Sequence, residues 1–267
     1  MTYTETDIVD TIRQLAGTDL PGLSRTQLDG IDQFHIGGTD AVDRIIPSLQ
    51  LSAGMTALDV GSGLGGPARQ VARHTGCHVL GVDITAGYVT TASELTASVG
   101  QEEHVRFLHT DIADLEQTDF DAAYTVHVQM SVKDKTAFYS DIARHLRPRA
   151  RLAIFEVCRG GSIEPALPLP WSMDGSDSFL ATAGELRDAV QDAGFDVVEW
   201  VDESAWATEW FAELGRRIAA GAAPPALPAL LINGPARMLN FAVAVTTGTV
   251  TIHRGAFVLT SNRTGRT

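Results

Sequence analysis

Between Met55 and Val157, short apolar runs alternate with stretches whose apolar residues recur at helical spacing. Apolar runs of about four to eight residues mark strands, and recurrence at about every third and fourth position marks helices. Strands are therefore predicted at Met55–Val60, Val79–Val82, Val105–Leu108, Ala122–Val128 and Leu152–Val157. Helices fall between them at Ala68–His74, Gly87–Val99 and Lys133–Leu146. Farther on, Glu185–Ala193 reads as a helix stopped by Gly194, Phe195–Val201 as a sixth strand, and Thr249–Thr260 as a last, antiparallel one. Regular strand–helix alternation means crossover connections, so the expected fold is α/β with a doubly wound, mostly parallel seven-stranded sheet.

Three stretches fall outside that alternation and predict helical cap additions. Residues 1–50 form an N-terminal cap ahead of a core over 51–267. Ile8, Val9, Ile12 and Leu15 stand at helical spacing there until Gly17 and Pro21 interrupt. Asp32-Gln-Phe-His-Ile-Gly-Gly38 then leads into a helix over Ala41–Leu49, for which Asp40 or Thr39 is the candidate cap. Phe34 and His35 lie just ahead of the first strand, as a packed arm or a fold over a ligand. The second addition, at about 159–182, holds Gly160, Gly161, Pro165, Pro168 and Pro170; it is too broken for helix and reads as a lid carrying Trp171 and Phe179. The third, 202–247, carries the stripe Trp206, Trp210, Phe211, Leu214 and Ile218, taken as core, and then Pro224-Pro225-Ala-Leu-Pro228. Ser261–Thr267 is expected to fray.

Ligands of parallel sheets sit beyond the carboxyl ends of the strands. Those ends are polar: Asp59, Asp83, Asp111, His127 and Glu156 close strands one to five. Packing alone does not favour five ionisable groups on one rim, since each needs water, a partner or a ligand. Strand one runs directly into Gly61, Gly63, Gly65 and Gly66, which lets a ligand touch backbone. Gly61, Gly63 and Gly66 satisfy G-x-G-x-x-G with Asp83 about 20 residues on, a spacing that permits a dinucleotide. Asp59 argues against a pyrophosphate, because its carboxylate would approach the same backbone. Two carboxylates suit a cationic ligand better. His127 and Glu156 end adjacent strands and are expected to face one acceptor pocket, His127 accepting or relaying a proton and Glu156 orienting the imidazole or binding a cationic substrate.

Composition narrows the partners. The chain has 267 residues, 44% apolar, and a formal net charge of −13. That charge disfavours a nucleic-acid partner, whose binding is driven by Lys and Arg. No apolar run spans a bilayer, and the polar, acidic start shows no secretory pattern, so a cytoplasmic location is expected. Cys77 and Cys158 lack metal-type spacing, and neither a disulfide nor a metal is assigned. Association into a homo-oligomer is left open.

Leu58-Asp-Val-Gly-Ser-Gly-Leu-Gly-Gly66, Gly81-Val-Asp-Ile-Thr85, Asp111-Ile112 and Leu146-Arg-Pro together resemble class I S-adenosylmethionine-dependent methyltransferases. The resemblance covers roughly residues 30–200. Asp32–Gly38, His127–Lys135, Pro168-Leu-Pro-Trp171 and Ser178-Phe-Leu180 are similar to a small-molecule branch. That branch includes sarcosine and dimethylglycine N-methyltransferases and bacterial natural-product enzymes, which act on nitrogen, oxygen or carbon. The resemblance implies a Rossmann-like fold with S-adenosylmethionine as cofactor. Asp83 would hold the ribose, Gly61, Gly63 and Asp59 the methionine portion, and Ile84, Asp111 and Ile112 the adenine. Phe34, His35, Trp171 and Phe179 would meet the acceptor. A binding protein without transfer activity and an NAD-dependent oxidoreductase are the competing readings. Pro148-Arg-Ala150 departs from the family's Pro-Gly-Gly, so the turn into strand five must form without glycine.

Overall fold

The computed structural model describes residues 8–221 and 232–260. The first residues, the Pro224–Pro228 run and Ser261–Thr267 lie outside the described residues. In chain order the structure runs through α1 (Ile8–Ala16), α2 (Arg25–Ile31), α3 (Thr39–Leu49), β1 (Thr56–Val60), α4 (Gly66–Thr75), β2 (His78–Asp83), α5 (Ala86–Ser98) and β3 (Val105–His109). There follow β4 (Phe120–Val126), α6 (Lys135–Arg144), β5 (Leu146–Arg159), α7 (Ala183–Asp192), β6 (Phe195–Asp202), α8 (Ser204–Ala219), α9 (Gly234–Thr246) and β7 (Val250–Leu259).

The seven strands stand in the order β3-β2-β1-β4-β5-β7-β6, and β7 runs antiparallel to both of its neighbours. Strand order reverses between β1 and β4, which pair in parallel with Asp59 opposite Tyr124. The two chains leaving that point turn to opposite faces of the sheet and open a crevice. One face is covered by α3, α4 and α5 through Val42, Ile45, Val71 and Ala92. The other is covered by α6 and α7 through Tyr139, Ile142, Leu186 and Val190. Both faces are thus dry, which is why the central strands read as continuous apolar runs.

The N-terminal segment divides. Helices α1 and α2 pack through Ile8, Ile12, Leu28 and Ile31 onto Leu64, Tyr88 and Leu95, while α3 joins the main core. A capping box fixes the start of α2: Ser24 Oγ accepts from Gln27 N–H, and Gln27 Oε1 accepts from Ser24 N–H at 3.0 Å.

Three sequence expectations are corrected. Gly38, with φ +52°, caps α3, and no side chain of Thr39 or Asp40 does. The helix expected to reach Leu146 ends at Arg144; Leu146 pairs with Phe120, and the pairing resumes five residues later at Arg151 opposite Ala122. Arg149 makes that offset with φ +65°, the left-handed conformation that glycine commonly supplies. In α8 the stripe buries its first turns against the core, but Ile218 is 60% exposed because the helix outruns the surface beneath it.

One interaction pins the cap to the sheet. Arg69 on α4 is nearly fully buried and its Nη2 donates to Asp32 Oδ2 at 2.7 Å and to Leu64 O at 2.5 Å. Its Nη1 donates to Ala92 O at 3.1 Å and Thr96 Oγ1 at 2.8 Å on α5. Burial raises the Asp32 carboxyl to about 6 against the opposing pull of Arg69. Removing one partner of a buried pair strands the other charge. Arg69→Met is therefore expected to cost about 3 to 5 kcal/mol in denaturant unfolding, with much of it recovered in Arg69→Met/Asp32→Asn. An unchanged unfolding midpoint in the single variant would contradict this role.

Candidate functional site

The crevice widens into a cavity of about 590 Å³ at the carboxyl ends of β1, β2 and β4. Its floor is the turn after β1. Gly61 N–H and Ser62 N–H both donate to Val82 O, at 2.8 and 3.0 Å, which folds the loop back over β2. Gly61 has φ +78°, and a methyl there would meet Val128 Cγ2 at 2.5 Å, so the position excludes a side chain on two counts. Gly63 N–H donates to Asp83 Oδ2 at 2.9 Å, and Thr85 N–H to Asp83 Oδ1 at 2.8 Å. Each carboxylate oxygen of Asp83 retains capacity for a further donor. Burial raises this carboxyl, and the Gly63 and Thr85 N–H groups pull it back.

Asp59 lies deepest. It is 2% exposed, its Oδ2 has no hydrogen-bond partner among the described residues, and it lines the cavity. Burial pushes its carboxyl up to about 8, with the nearby Asp83 charge adding to the shift and Tyr124 and Arg69 opposing it. A cationic group reaching it from the cavity would supply the missing donor and favour the ionised form. Asp111 caps the short turn Ile112–Asp114 by accepting from Ala113 N–H at 3.0 Å, with Ile112 buried behind it and Ile84 exposed on the facing rim.

His127 follows β4 with φ +55°, a left-handed conformation that a residue with a Cβ seldom adopts. Backbone strain of this kind persists where surrounding contacts over-determine it. Its N–H donates to Phe155 O at 2.9 Å, its ring stacks on Phe155 with centroids 5.9 Å apart, and Phe241 meets its edge at 6.1 Å. The Nε2 atom is sealed from solvent and has no partner among the described residues. Burial, then the neighbouring His35, hold the imidazole well below its ordinary range, so it is neutral.

Glu156 is placed otherwise than expected. It is absent from the described cavity lining and completely buried. Phe155 turns toward the cavity-side core, so Glu156 beside it turns to the opposite face, toward α6. Its Oε1 accepts from Thr125 Oγ1–H at 2.6 Å, and its Oε2 from Val128 N–H at 2.9 Å and Gln129 N–H at 3.2 Å. The two successive N–H groups form a nest for the carboxylate. Glu156 therefore fastens the turn that carries His127 and does not meet a ligand directly. Burial raises its carboxyl to about 7 against those donors and Lys135.

The structure brings Phe34, His35 and Trp171 to the cavity and leaves Phe179 outside its described lining. Phe179 uses its backbone: its N–H donates to Met130 O at 2.7 Å and its carbonyl accepts from Lys135 Nζ at 2.6 Å. His35 is engaged, with Nε2 2.8 Å from Gln33 Oε1 and Nδ1 3.1 Å from Ile36 O. Sequence reasoning missed Asp32, Asp134, Asp141 and Asp177, which also line the cavity. Only Asp134 carries a local signal, as the N-cap of α6 accepting from Ala137 N–H at 2.9 Å.

With this geometry in view, residues 58–154 match the model of a methyltransferase domain family. The chain is 29% identical to the methyltransferase GfsG of Streptomyces halstedii over 65% of this chain and 64% of that protein. It spans about half to two thirds of the length of the first curated relatives it matches. Among solved structures, the fold is similar to a phosphoethanolamine N-methyltransferase of Haemonchus contortus in complex with S-adenosylhomocysteine. There the TM-score is 0.71 at 18% identity, covering 96% of this chain and 61% of that one. It is also similar in fold to the cyclase SpnF, with a TM-score of 0.67 at 21% identity, covering 96% of this chain and 94% of that one. The fold is thus similar to that of solved Rossmann-like methyltransferases, and residues 58–154 match a methyltransferase domain.

Glu156→Gln leaves a neutral amide oxygen to accept from the Val128 and Gln129 N–H groups in place of a carboxylate, so unfolding experiments should find it less stable by about 1 to 3 kcal/mol at pH 8. The gap depends on pH. A carboxyl raised in the folded state adds stability at low pH that is lost as pH rises through about 7, and the amide of the variant has no such dependence. The wild type should therefore lose stability relative to the variant between about pH 5 and pH 8; a pH-independent difference would exclude titration of this group.

Proposed function

We infer that the chain transfers a methyl group from S-adenosylmethionine to a small-molecule acceptor in specialised metabolism, as a cytoplasmic enzyme. The observation that carries this reading is a single cavity lined by both Asp59, whose buried Oδ2 has no hydrogen-bond partner among the described residues, and the neutral His127 imidazole. The residues at the Asp59 end fit the cofactor. Asp59 receives the methionine ammonium, Gly61 and Gly63 allow backbone approach, and Asp83 accepts from the ribose hydroxyls. Ile84 and Ile112 offer apolar surface to the adenine, with Asp111 at its edge. Residues 8–31 and the 159–182 segment act as caps over this site.

When bound, the sulfonium supplies an already activated methyl group. The chain's own tasks are alignment, exclusion of water and, for some acceptors, removal of a proton. Trp171 and Phe34 wall the acceptor space. The His127 imidazole takes the proton from a hydroxyl or activated carbon; an amine that binds already deprotonated needs no base. Glu156 acts only through the turn that sets the imidazole. The likeness to a cyclase favours one competing reading, a cofactor-binding protein that performs no transfer.

Calorimetry should find S-adenosylmethionine or S-adenosylhomocysteine bound in preference to NAD, and Asp83→Ala should weaken that binding by about 1.5 to 3 kcal/mol. NAD binding without either sulfur nucleoside would overturn the assignment. His127→Ala should lower turnover by about 10²- to 10⁴-fold with cofactor affinity within about threefold. Equal losses in both would move His127 out of the acceptor site. Free Asp59 holds a proton below about pH 8, so cofactor binding there should release one and tighten as pH rises. Titrations in buffers of different ionisation heat detect that proton, and its absence would separate Asp59 from the ammonium.

A further inference from the structure

A chain of side chains runs from Asp43 on α3 through Gln70 and Gln33 to His35 in the cavity wall. Gln70 on α4 is 1% exposed, and its Nε2 donates to Thr39 O at 2.9 Å and to Asp43 Oδ1 at 2.7 Å. Both partners are acceptors, so the Gln70 amide has one workable orientation and turns its Oε1 to Gln33. Gln33 Nε2 donates to that oxygen at 3.2 Å, which leaves Gln33 Oε1 facing His35 Nε2 at 2.8 Å. An amide oxygen only accepts, so His35 carries its proton on Nε2. The glycine loop makes room for the chain: a methyl at Gly66 would meet the Gln33 amide carbon at 2.9 Å and Asp32 O at 2.7 Å.

The other end of the chain does not match. His35 Nδ1 lies 3.1 Å from Ile36 O, and in the Nε2–H form it sets a lone pair against that carbonyl. A second proton would remove the conflict, but burial holds the imidazole down to about 4 against the pull of Ile36 O. The neutral ring must therefore leave one contact mismatched. Left to itself, it would donate from Nδ1 to Ile36 O and accept at Nε2 from a turned Gln33 amide. Asp43, which also lies 3.5 Å from His74 Nδ1, opposes that turn: its carboxylate polarises Gln70, whose Oε1 then draws the Gln33 amide N–H more strongly. Hydrogen bonds in series strengthen one another, so the mismatch falls at Ile36. His35 is 7% exposed, and its ring meets that of His127 at 69° with centroids 5.9 Å apart. With its nitrogens turned to Gln33 and Ile36, it offers neither to a ligand and stands as a fixed neighbour of His127.

We propose that His35 is a positioning residue: Asp43, Gln70 and Gln33 lock it as the Nε2–H tautomer, and the locked ring sets the orientation of the His127 imidazole. The proposal rests on the reading that His127 takes the acceptor's proton. It is tested by nitrogen NMR on the whole protein labelled with nitrogen-15 histidine at pH 7, the His35 signals being identified by their loss in His35→Asn. The wild type should show the proton on His35 Nε2 and a bare Nδ1. Gln70 is bonded to Gln33 and not to the ring, yet Gln70→Met frees the Gln33 amide to turn, so the proton should move to Nδ1 and the His127 ring signals should shift with it. Gln33→Met removes the acceptor itself and should give the same Nδ1–H form. A proton on Nδ1 in the wild type, which needs no variant to fold, would overturn the proposal, as would an unmoved proton in folded Gln70→Met. Unshifted His127 signals in a variant whose His35 tautomer has changed would remove the positioning role. These tautomers are read without ligand, whereas failure of S-adenosylhomocysteine to bind in calorimetry would sink the methyltransferase reading, which keeps the two failures distinct.

Discussion

Arg69 donates to oxygens from three separate parts of the chain: Asp32 at the end of α2, Leu64 in the glycine loop and Ala92 with Thr96 on α5. A guanidinium buried to this depth is tolerable only when paired and hydrogen-bonded, so the three segments must converge on it. Convergence presses the cap against the loop after β1, and the loop in turn sets Gly63 N–H on Asp83. The same packing keeps water from Asp59, whose carboxyl is raised for that reason. The position of the glycine loop, the chemistry of the cavity floor and the docking of the cap are therefore one problem with one solution.

A second buried charge governs the opposite wall. His127 occupies a strained backbone conformation, and the Glu156 carboxylate compensates by taking two successive N–H groups of the same turn. Stacking on Phe155 and the edge of Phe241 then fix the ring, with Nε2 sealed from solvent and without a partner among the described residues. Strain, anion nest and ring packing together orient a group that none of them would hold alone. Because β5 carries Phe155 and Glu156 in succession, one strand supports the imidazole from one face of the sheet and its backbone from the other.

The sheet was legible because its signal is local. Apolar runs, the glycine cluster and a polar residue at each strand end lie within a few positions of one another, and they located Asp59, Asp83, Asp111 and His127 on one rim. Glu156 was misread because knowing that a residue lies in a strand does not say which face it takes; the parity follows from pairing with β4 and β7. The α6–β5 boundary was misread for a related reason, since Leu146 belongs to the strand only through Phe120, distant in sequence. Phe179 sits in an irregular segment, where periodicity carries no information and backbone hydrogen bonds decide the path. Asp32 and Arg69 lie 37 positions apart, and nothing local in either marks them as partners.

In the proposed reaction, the acidic cavity and the neutral imidazole belong to a single charge arrangement. Its aspartates suit the cation brought by the cofactor, and methyl transfer discharges that cation. His127, on taking the acceptor's proton, gains the positive charge that the sulfonium loses, so the cavity's total charge stays constant through the step. A neutral imidazole is a weak base in an apolar enclosure, and here burial and the neighbouring His35 both disfavour the imidazolium, so the proton it takes must pass on as the product leaves. The acidic floor at Asp59 and Asp83 can therefore serve the cofactor before transfer without moving any side chain, which is the electrostatic preorganisation that enzyme sites use in place of solvent reorganisation.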